Sequence, residues 1–344
     1  MLASILAISL LHQVLPHERP TLEAYIKSEI LFQPATHSYT DEVVGTLPMP
    51  MGSITRAAIS YGAQDDSSNS LRAIVAYDPN GNISRIEYHN EFGGYSGISE
   101  FEHGDCGLTR VVLRSGPDQP PHKTQTFQYD ANCLLIGATS SRTAGESWTA
   151  NVVRSEDSAI VSVVYSGGNH PRTERHSLAC DTSGKIMTDM VEVNGTETKV
   201  LKYIVDSVGR VEGKIISTPS LGETSKWTLE YCANTVIISY THSTKDVVNA
   251  HTKVTRTSAG DLTITETSYV REGHWSTSVD NPSGLPLVLA SGNKKRLNKT
   301  TQYVYSYDEY DNLTERLDLI MGFDPVRTPS TERRVRVIIT YRDK

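Results

Sequence analysis

The amino-acid sequence predicts an all-β protein made of tandem antiparallel β-hairpins that form a curled or closed sheet, with short amino-terminal helices. Three observations predict this class. Tyrosine, which favours strands, occurs 17 times against five phenylalanines. A short turn signature returns about every 25 residues beyond residue 70. Between the turns, apolar and polar residues alternate with the period of two expected of a strand with one buried face.

Length and composition are those of a folded globular chain. The protein has 344 residues, of which 38% are hydrophobic and 21% charged, enough for one large or two ordinary domains. Its formal net charge is −7. Because an acidic protein gains no attraction from a phosphate backbone, we expect no nucleic-acid partner.

Residues 1–15 contain a candidate targeting segment, the apolar run LASILAISLL at residues 2–11. A run of this length fits the apolar region of a signal peptide but is too short to span a bilayer. No Lys or Arg precedes the run, and no small-x-small cleavage site stands out before Pro16. A short buried helix therefore stays open as the alternative.

Residues 16–69 are predicted to form a second short helix and a connector. Pro20 and Thr21 open the helix, and apolar residues at helical spacing continue it to about Phe32. Pro34, Pro48, Pro50 and Gly52 indicate a connector over residues 33–53. The repeat domain is predicted to cover residues 70–344.

The repeat unit is centred on a residue, most often aspartate, that begins a turn. Ten units follow one another at spacings of 23 to 28 residues, about 25.6 on average, a regularity that tandem supersecondary units explain. The anchor positions are Asp78, Gly104, Asp130, Ser155, Asp181, Asp206, Cys232, Thr257, Asp280 and Asp308.

Two rows of mostly apolar residues flank the anchors and predict a buried face. One row lies three residues before each anchor, from Val75 to Tyr305, and the other lies five residues after it, from Ile83 to Leu313. An aspartate that bonds to its own backbone ahead, followed by a glycine with positive φ, makes a tight turn, so each unit is predicted to be a hairpin. The predicted structural turn residues are Asp78, Gly81, Asp130, Asp181, Gly184, Asp206, Gly209, Asp280 and Asp308.

These units resemble the YD repeats of the rearrangement-hotspot (RHS) and teneurin-like families. The likeness covers residues 70–341, and its clearest units begin at Tyr77, Tyr129 and Tyr307, each followed by an aspartate. The resemblance implies long β-hairpin sheets that coil into a hollow shell. It also implies an envelope or extracellular setting.

Ten hairpins make about 20 strands, and at roughly 4.8 Å per strand such a sheet is too wide to stay open without curling. We therefore expect the apolar rows to line a packed core or a cavity, with room for the amino-terminal helices to fill part of it. A five-bladed propeller, which pairs hairpins into four-stranded blades, is the alternative.

No motif in the sequence identifies a catalytic residue, a cofactor site or a metal site. His170 and His176 flank a segment that matches no metal signature, and the four cysteines match no zinc spacing. Equivalent places in neighbouring hairpins lie about 9.6 Å apart, beyond the reach of a disulfide, which predicts four free thiols. Coiling of the sheet that brings Cys106 and Cys133 together is the alternative.

These features favour a non-catalytic scaffold or binding protein that is secreted or lies in the cell envelope, with a protein, a glycan or an apolar ligand as its partner. The alternatives are a polysaccharide-acting hydrolase and an outer-membrane β-barrel. Charges near strand centres, as at Lys202, Glu230 and Arg256, weaken the membrane alternative. Enzymatic activity, association with a membrane surface and a cytoplasmic location stay open.

Overall fold

The computed structural model describes most of the chain from Arg19 to Tyr341. The described residues are 19–31, 54–63, 70–90, 94–143, 145–167, 171–245, 247–269, 273–282, 285–293, 296–310, 312–322 and 333–341. The apolar run at residues 2–11 and the predicted connector at residues 33–53 lie outside them.

One helical segment precedes the described strands. Helix α1 (Leu22–Tyr25) starts after Thr21, whose side chain accepts a hydrogen bond from the Ala24 backbone N–H, and it continues as a π-helix (Ile26–Leu31). This agrees with the helix predicted between Pro20 and Phe32. We call residues 22–31 the inner helix, because their buried side chains belong to the hydrophobic cluster that the sheet encloses.

Twenty-two strands follow in the described part of the chain, and a 3-10 helix, Pro219–Leu221, lies between β13 and β14. The strands are β1 (Ile54–Ala63), β2 (Ser70–Tyr77), β3 (Ile83–His89), β4 (Tyr95–Gly104), β5 (Gly107–Arg114), β6 (Lys123–Tyr129), β7 (Leu135–Arg142), β8 (Ser147–Arg154), β9 (Ser158–Ser166), β10 (Arg172–Cys180), β11 (Ile186–Val193), β12 (Thr196–Val205), β13 (Val211–Thr218), β14 (Glu223–Cys232), β15 (Thr235–Thr244), β16 (Val247–Ala259), β17 (Leu262–Tyr269), β18 (His274–Asp280), β19 (Pro286–Asn293), β20 (Arg296–Tyr307), β21 (Leu313–Gly322) and β22 (Arg333–Tyr341).

The sheet closes on itself. Each strand pairs antiparallel with the strands before and after it along the chain, and β1 pairs with both β2 and β22. The ten predicted hairpins are the strands β2 to β21, and β1 and β22 complete the ring. A propeller would divide the strands into separate four-stranded sheets, so the unbroken ladder excludes that alternative.

One face of the sheet stays in register around the ring. Phe127 on β6 lies opposite Ala138, which lies opposite Ala150, which lies opposite Val163. These four residues are buried and belong to one hydrophobic cluster that also contains the inner helix. A second cluster on β1 to β3, which includes Ile59 and the three-before residue Val75, meets the first one at Phe101.

The two predicted apolar rows fare differently. The row three residues before the anchors lies on the buried face, except that Thr277 pairs outside it. The row five residues after the anchors is buried at Leu135, Ile186, Val211 and Leu313. It is wrong at Ile160, Ile237 and Leu262, which lie in the outward phase of their strands. Their hairpins close by shorter turns than the aspartate turn, with Arg154 paired with Ala159, Cys232 with Thr235 and Ala259 with Leu262. The shorter turns shift the phase of each strand by one residue.

The sheet has two ends. The turns at Asp78, Asp130, Asp181, Asp206 and Asp308 all lie at one end, which we call the turn end. The connections between β7 and β8 and between β9 and β10 lie at the other, which we call the loop end.

Candidate functional site

The inner helix lies against the concave face of the sheet. At its turn end, the Leu22 backbone N–H donates to the Gly184 carbonyl at 3.0 Å, and Arg19 pairs with Asp181 at 2.5 Å. Along its length it contacts strands from β6 to β11. Six adjacent strands span about 24 Å between the first and the last, whereas a helix is only about 10 Å wide. The sheet must therefore curve around the helix.

Two further contacts fix the helix at the turn end. The Glu23 carboxylate accepts a hydrogen bond from the Leu135 backbone N–H at 3.0 Å and pairs with Arg154 at 2.6 Å. Arg154 in turn donates to the Leu135 carbonyl. The start of β7 and the end of β8 are thus tied to the same residue of the helix.

A buried chain of polar side chains joins the middle of the helix to β10 and β11. The Tyr25 hydroxyl donates to Asp189 at 2.9 Å, His176 Nδ1 lies 3.0 Å from the same carboxylate, and His176 Nε2 lies 3.1 Å from Glu174. Tyr25, Asp189 and His176 are all buried. These hydrogen bonds satisfy buried polar groups that would otherwise be costly to place among apolar side chains.

In this network of hydrogen-bonded side chains, His176 is protonated and lies between Asp189 and Glu174. Burial lowers the pKa of His176, but the hydrogen bonds to Asp189 and Glu174 outweigh it and raise that pKa to about 9. The hydrogen bond from His176 lowers the pKa of Glu174. Burial, with the Asp189 charge, raises the pKa of Tyr25 far above its usual range. At neutral pH His176 is therefore an imidazolium, Glu174 is ionised, and Tyr25 is a hydrogen-bond donor.

The loop end of the helix borders a cavity of about 390 Å³, which we call the loop-end pocket. Ile30 and Leu31 form one side, and the inward faces of β6 to β10 form the other. Five of the lining side chains are aromatic or cationic. They are Lys123, Arg142, Trp148, Tyr165 and Arg172.

Charge in the loop-end pocket is positive on balance. Lys123 is only 6% exposed, and burial, with the nearby Arg142 charge, lowers its pKa. The Arg172 guanidinium lies 4.3 Å from the centre of the Tyr165 ring. Glu146 contributes one carboxylate to the lining, paired with Arg142 at 3.2 Å. A pocket of this size with apolar walls and a buried cation suits a small anionic molecule that has an apolar or aromatic part.

The predicted turn residues lie at the turn end, outside this pocket. Asp78 shows the geometry that recurs in the series, because its Oδ1 accepts hydrogen bonds from the backbone N–H groups of Asn80 and Asn82 at 2.8 and 2.9 Å. Gly81 has a φ of 84° in that turn. The same pair of backbone hydrogen bonds occurs at Asp130, Asp181, Asp206 and Asp308, and positive φ occurs at Gly184 and Gly209.

The ninth turn departs from the expected position by one residue. The Asn281 side chain accepts the hydrogen bond from the Leu285 backbone N–H, whereas Asp280 is the last residue of β18. With Asn281 as the anchor, the residue three places before it becomes Ser278, which pairs with Thr265 and shares the inward phase of its neighbours. This shift explains why Thr277 leaves the predicted row.

The prediction of four free thiols is wrong, and its alternative holds. Cys106 and Cys133 form a disulfide across two adjacent turns, with their Cα atoms 4.9 Å apart. The estimate of about 9.6 Å assumed flat, parallel hairpins, whereas the turns of the curved sheet approach one another. Cys180 and Cys232 are free.

Two kinds of feature are absent from the described residues. No cluster of three or more His, Cys, Asp or Glu side chains there has the arrangement of a metal site. Within the same ranges, no helix has the length and apolar character needed to cross a bilayer.

Sequence reasoning missed the loop-end pocket. Its residues come from five strands and the inner helix, so no short motif unites them. One signal was available, because Lys123 and Gln125 occupy the same alternating phase as Phe127, where the repeat otherwise places apolar side chains. Polar residues at positions that alternate along the buried face are informative, because they indicate a place where the apolar core is interrupted by polar groups.

Comparisons with known proteins give distant structural likenesses. No known protein family and no curated protein matches the chain. A porin-like protein from Bacteroides uniformis is 13% identical with a TM-score of 0.27, over 85% of this chain and 99% of its own. A porin-like protein from Bacteroides vulgatus is 7% identical with a TM-score of 0.26, over 64% of this chain and 95% of its own. The TcdB2-TccC3-Cdc42 structure is 11% identical with a TM-score of 0.28, over 74% of this chain and 16% of its own. At these TM-scores, fold and function rest on the chain's own residues.

Proposed function

We propose that the protein is a non-catalytic, water-surrounded binding shell that holds a small anionic molecule with an apolar or aromatic part in the loop-end pocket. The observation that carries this proposal is the pocket itself. It combines the buried Lys123 with Trp148, Tyr165 and the end of the inner helix, inside a closed sheet. A cation among aromatic walls recognises an anion and an apolar body together.

Outward-facing charges support a shell in water. On β3 to β5, Arg85, Glu100 and Arg114 form an ion-pair network at 3.1 and 3.5 Å on the face opposite the core. These side chains are partly exposed, and the buried Ile98 and Val112 lie beside them on the same face. Lys202 and Glu230 are exposed at outward positions of β12 and β14. A Lys or Arg side chain on the lipid-facing face costs roughly 2–4 kcal/mol at the bilayer midplane, and Asp or Glu costs less, so this outer face disfavours the outer-membrane alternative.

The disulfide supports a location outside the cytosol. A bond between Cys106 and Cys133 persists in oxidising compartments and is rare where glutathione keeps thiols reduced. We therefore place the protein in the extracellular space or the cell envelope. We also infer that it is a divergent member of the YD-repeat group, because its aspartate turns cap consecutive hairpins of one coiled sheet.

The carboxylates around His176 give only weak support to the alternative of a hydrolase. Glu174 and Asp189 are carboxylates outside the turns, but His176 lies between them and hydrogen-bonds to both. The lowered pKa of Glu174 keeps it ionised, whereas glycoside hydrolysis needs a protonated carboxyl as the general acid.

The test is a titration with 8-anilinonaphthalene-1-sulfonate, an aromatic sulfonate whose fluorescence rises in apolar surroundings. We expect saturable binding of one probe per chain. Lys123→Met should weaken that binding about tenfold or more, because a charge-assisted contact in a desolvated pocket is lost. Trp148→Phe should reduce energy transfer from tryptophan to the probe.

Lys202→Met is the matched control, because Lys202 is exposed on the outer face. Its affinity for the probe should equal that of the unmodified protein. Equal weakening in both lysine variants, or probe binding that never saturates, would contradict the proposal.

A further inference from the structure

A second cavity, of about 510 Å³, lies at the turn end of the sheet. We call it the turn-end pocket. Its lining comes from the turn before β13 and from β14 to β16, and its polar members include Arg210, Tyr231, Asn234, Arg256 and Ser258. It shares no lining residue with the loop-end pocket.

Arg210 is held in place by its own turn. Its Nε donates to the Asp206 carboxylate at 2.7 Å, and its guanidinium lies 5.0 Å from the centre of the Tyr231 ring. Tyr231 is itself fixed, since its hydroxyl donates to the Val211 carbonyl at 2.8 Å. These two contacts orient the guanidinium of Arg210, whose side chain is otherwise exposed, along the edge of the pocket.

Arg256 differs from Arg210 in having no hydrogen-bond or ion-pair partner among the described residues. It lies on the inward face of β16, where its cross-strand neighbours are Val236 and Thr265, neither of which is acidic. It is half-buried, and no side chain in the described part of the protein forms an ion pair or a hydrogen bond with it. A partly desolvated guanidinium keeps all five of its N–H donors available for an anion.

We propose that the turn-end pocket binds an oxyanion group, a carboxylate, sulfate or phosphate, between Arg210 and Arg256. Guanidinium groups match such groups with paired, charge-assisted hydrogen bonds. The lining contains two guanidiniums and no acidic side chain, within a protein whose net charge is −7. The carboxylates of Asp206, which pairs with Arg210, and of Glu212, whose charge acts on Tyr231, lie nearby. The volume has room for a small molecule attached to the oxyanion, and the side chains of Asn234 and Ser258 offer it uncharged hydrogen-bonding groups.

The experiment is isothermal titration calorimetry of the full chain with sodium sulfate, sodium phosphate and sodium glucuronate, each at an ionic strength held constant with sodium chloride. We expect saturable binding of at least one probe, with one site per chain. Arg256→Gln should weaken that binding tenfold or more, and Arg256→Lys, which keeps the charge but not the fork, should lie between the two.

Arg110→Gln is the matched control, because Arg110 is an exposed arginine on the outer face that pairs with Glu102. It should bind the oxyanion as the unmodified protein does. Near-ultraviolet circular dichroism, which reports on the surroundings of the aromatic side chains, shows that each variant is folded. Lys123→Met should bind the oxyanion as the unmodified protein does, which separates this inference from the proposed function. The inference is overturned if none of the three probes binds saturably, or if Arg256→Gln binds as tightly as the unmodified chain.

Discussion

Among single substitutions on the concave face of the sheet, Asp189→Ala should cause one of the largest losses in the free energy of unfolding. The Asp189 carboxylate is 2% exposed and accepts the Tyr25 hydroxyl at 2.9 Å while facing the protonated His176 at 3.0 Å. Removing it leaves a buried imidazolium with one remaining carboxylate and a buried hydroxyl without its acceptor. Breaking a buried ion pair in this way costs about 3–5 kcal/mol of the free energy of unfolding.

The measurement is urea unfolding followed by tryptophan fluorescence. The matched control is Glu192→Ala on the same strand, because Glu192 pairs with Arg175 on the outer face at 3.2 Å and should cost less than about 1 kcal/mol. A double-mutant cycle with Tyr25→Phe should give a coupling energy of about 1 kcal/mol or more. If Asp189→Ala lowers the free energy of unfolding no more than Glu192→Ala does, or if the coupling energy is zero, the hydrogen bonds around Asp189 do not anchor the inner helix.

Two further predictions concern pH and redox state. Because the folded pKa of His176 is about 9 and its unfolded pKa is about 6.5, its contribution is fully present below pH 6.5 and is lost as the pH rises through 9. Between those limits the free energy of unfolding should fall by roughly 3 kcal/mol, and His176→Gln should remove this fall; an unchanged slope in that variant would refute it. Replacing both Cys106 and Cys133 with serine should cost about 3–4 kcal/mol, because the disulfide closes a segment with a sequence separation of 27. Cys232→Ser, which removes an exposed free thiol, should change the unfolding midpoint little; equal losses in the two variants would count against a stabilising disulfide.

The fold was accessible from the sequence because its signals are local and repeated. An aspartate turn and an alternating strand are each defined within about ten residues, and ten copies make the period visible. The first strand, β1, was missed because it has no aspartate turn and its buried positions include the small Ala57. Closure depends on the pairing of β1 with β22 at opposite ends of the chain, and no local pattern encodes it.

The sites were less accessible, because they arise only after the sheet has curved. Arg256 could be recognised as a charge near a strand centre, but its lack of a carboxylate neighbour depends on the register of β15 and β17. The approach of Cys106 to Cys133 likewise depends on curvature that a flat-sheet estimate omits. The hydrogen bond from Tyr25 to Asp189 joins the inner helix to β11 across a sequence separation of 164, and no spacing rule predicts such a contact.

Native mass spectrometry of the protein, recovered without detergent from the envelope fraction or the medium of a bacterial host, tests the central claim most directly. The account predicts a chain that stays in solution without detergent and carries one small bound molecule. That added mass should disappear on denaturation and should be absent from Lys123→Met while persisting in Lys202→Met. A chain that requires detergent, or one that carries no bound mass in the unmodified protein, would contradict the account of a water-surrounded binding shell.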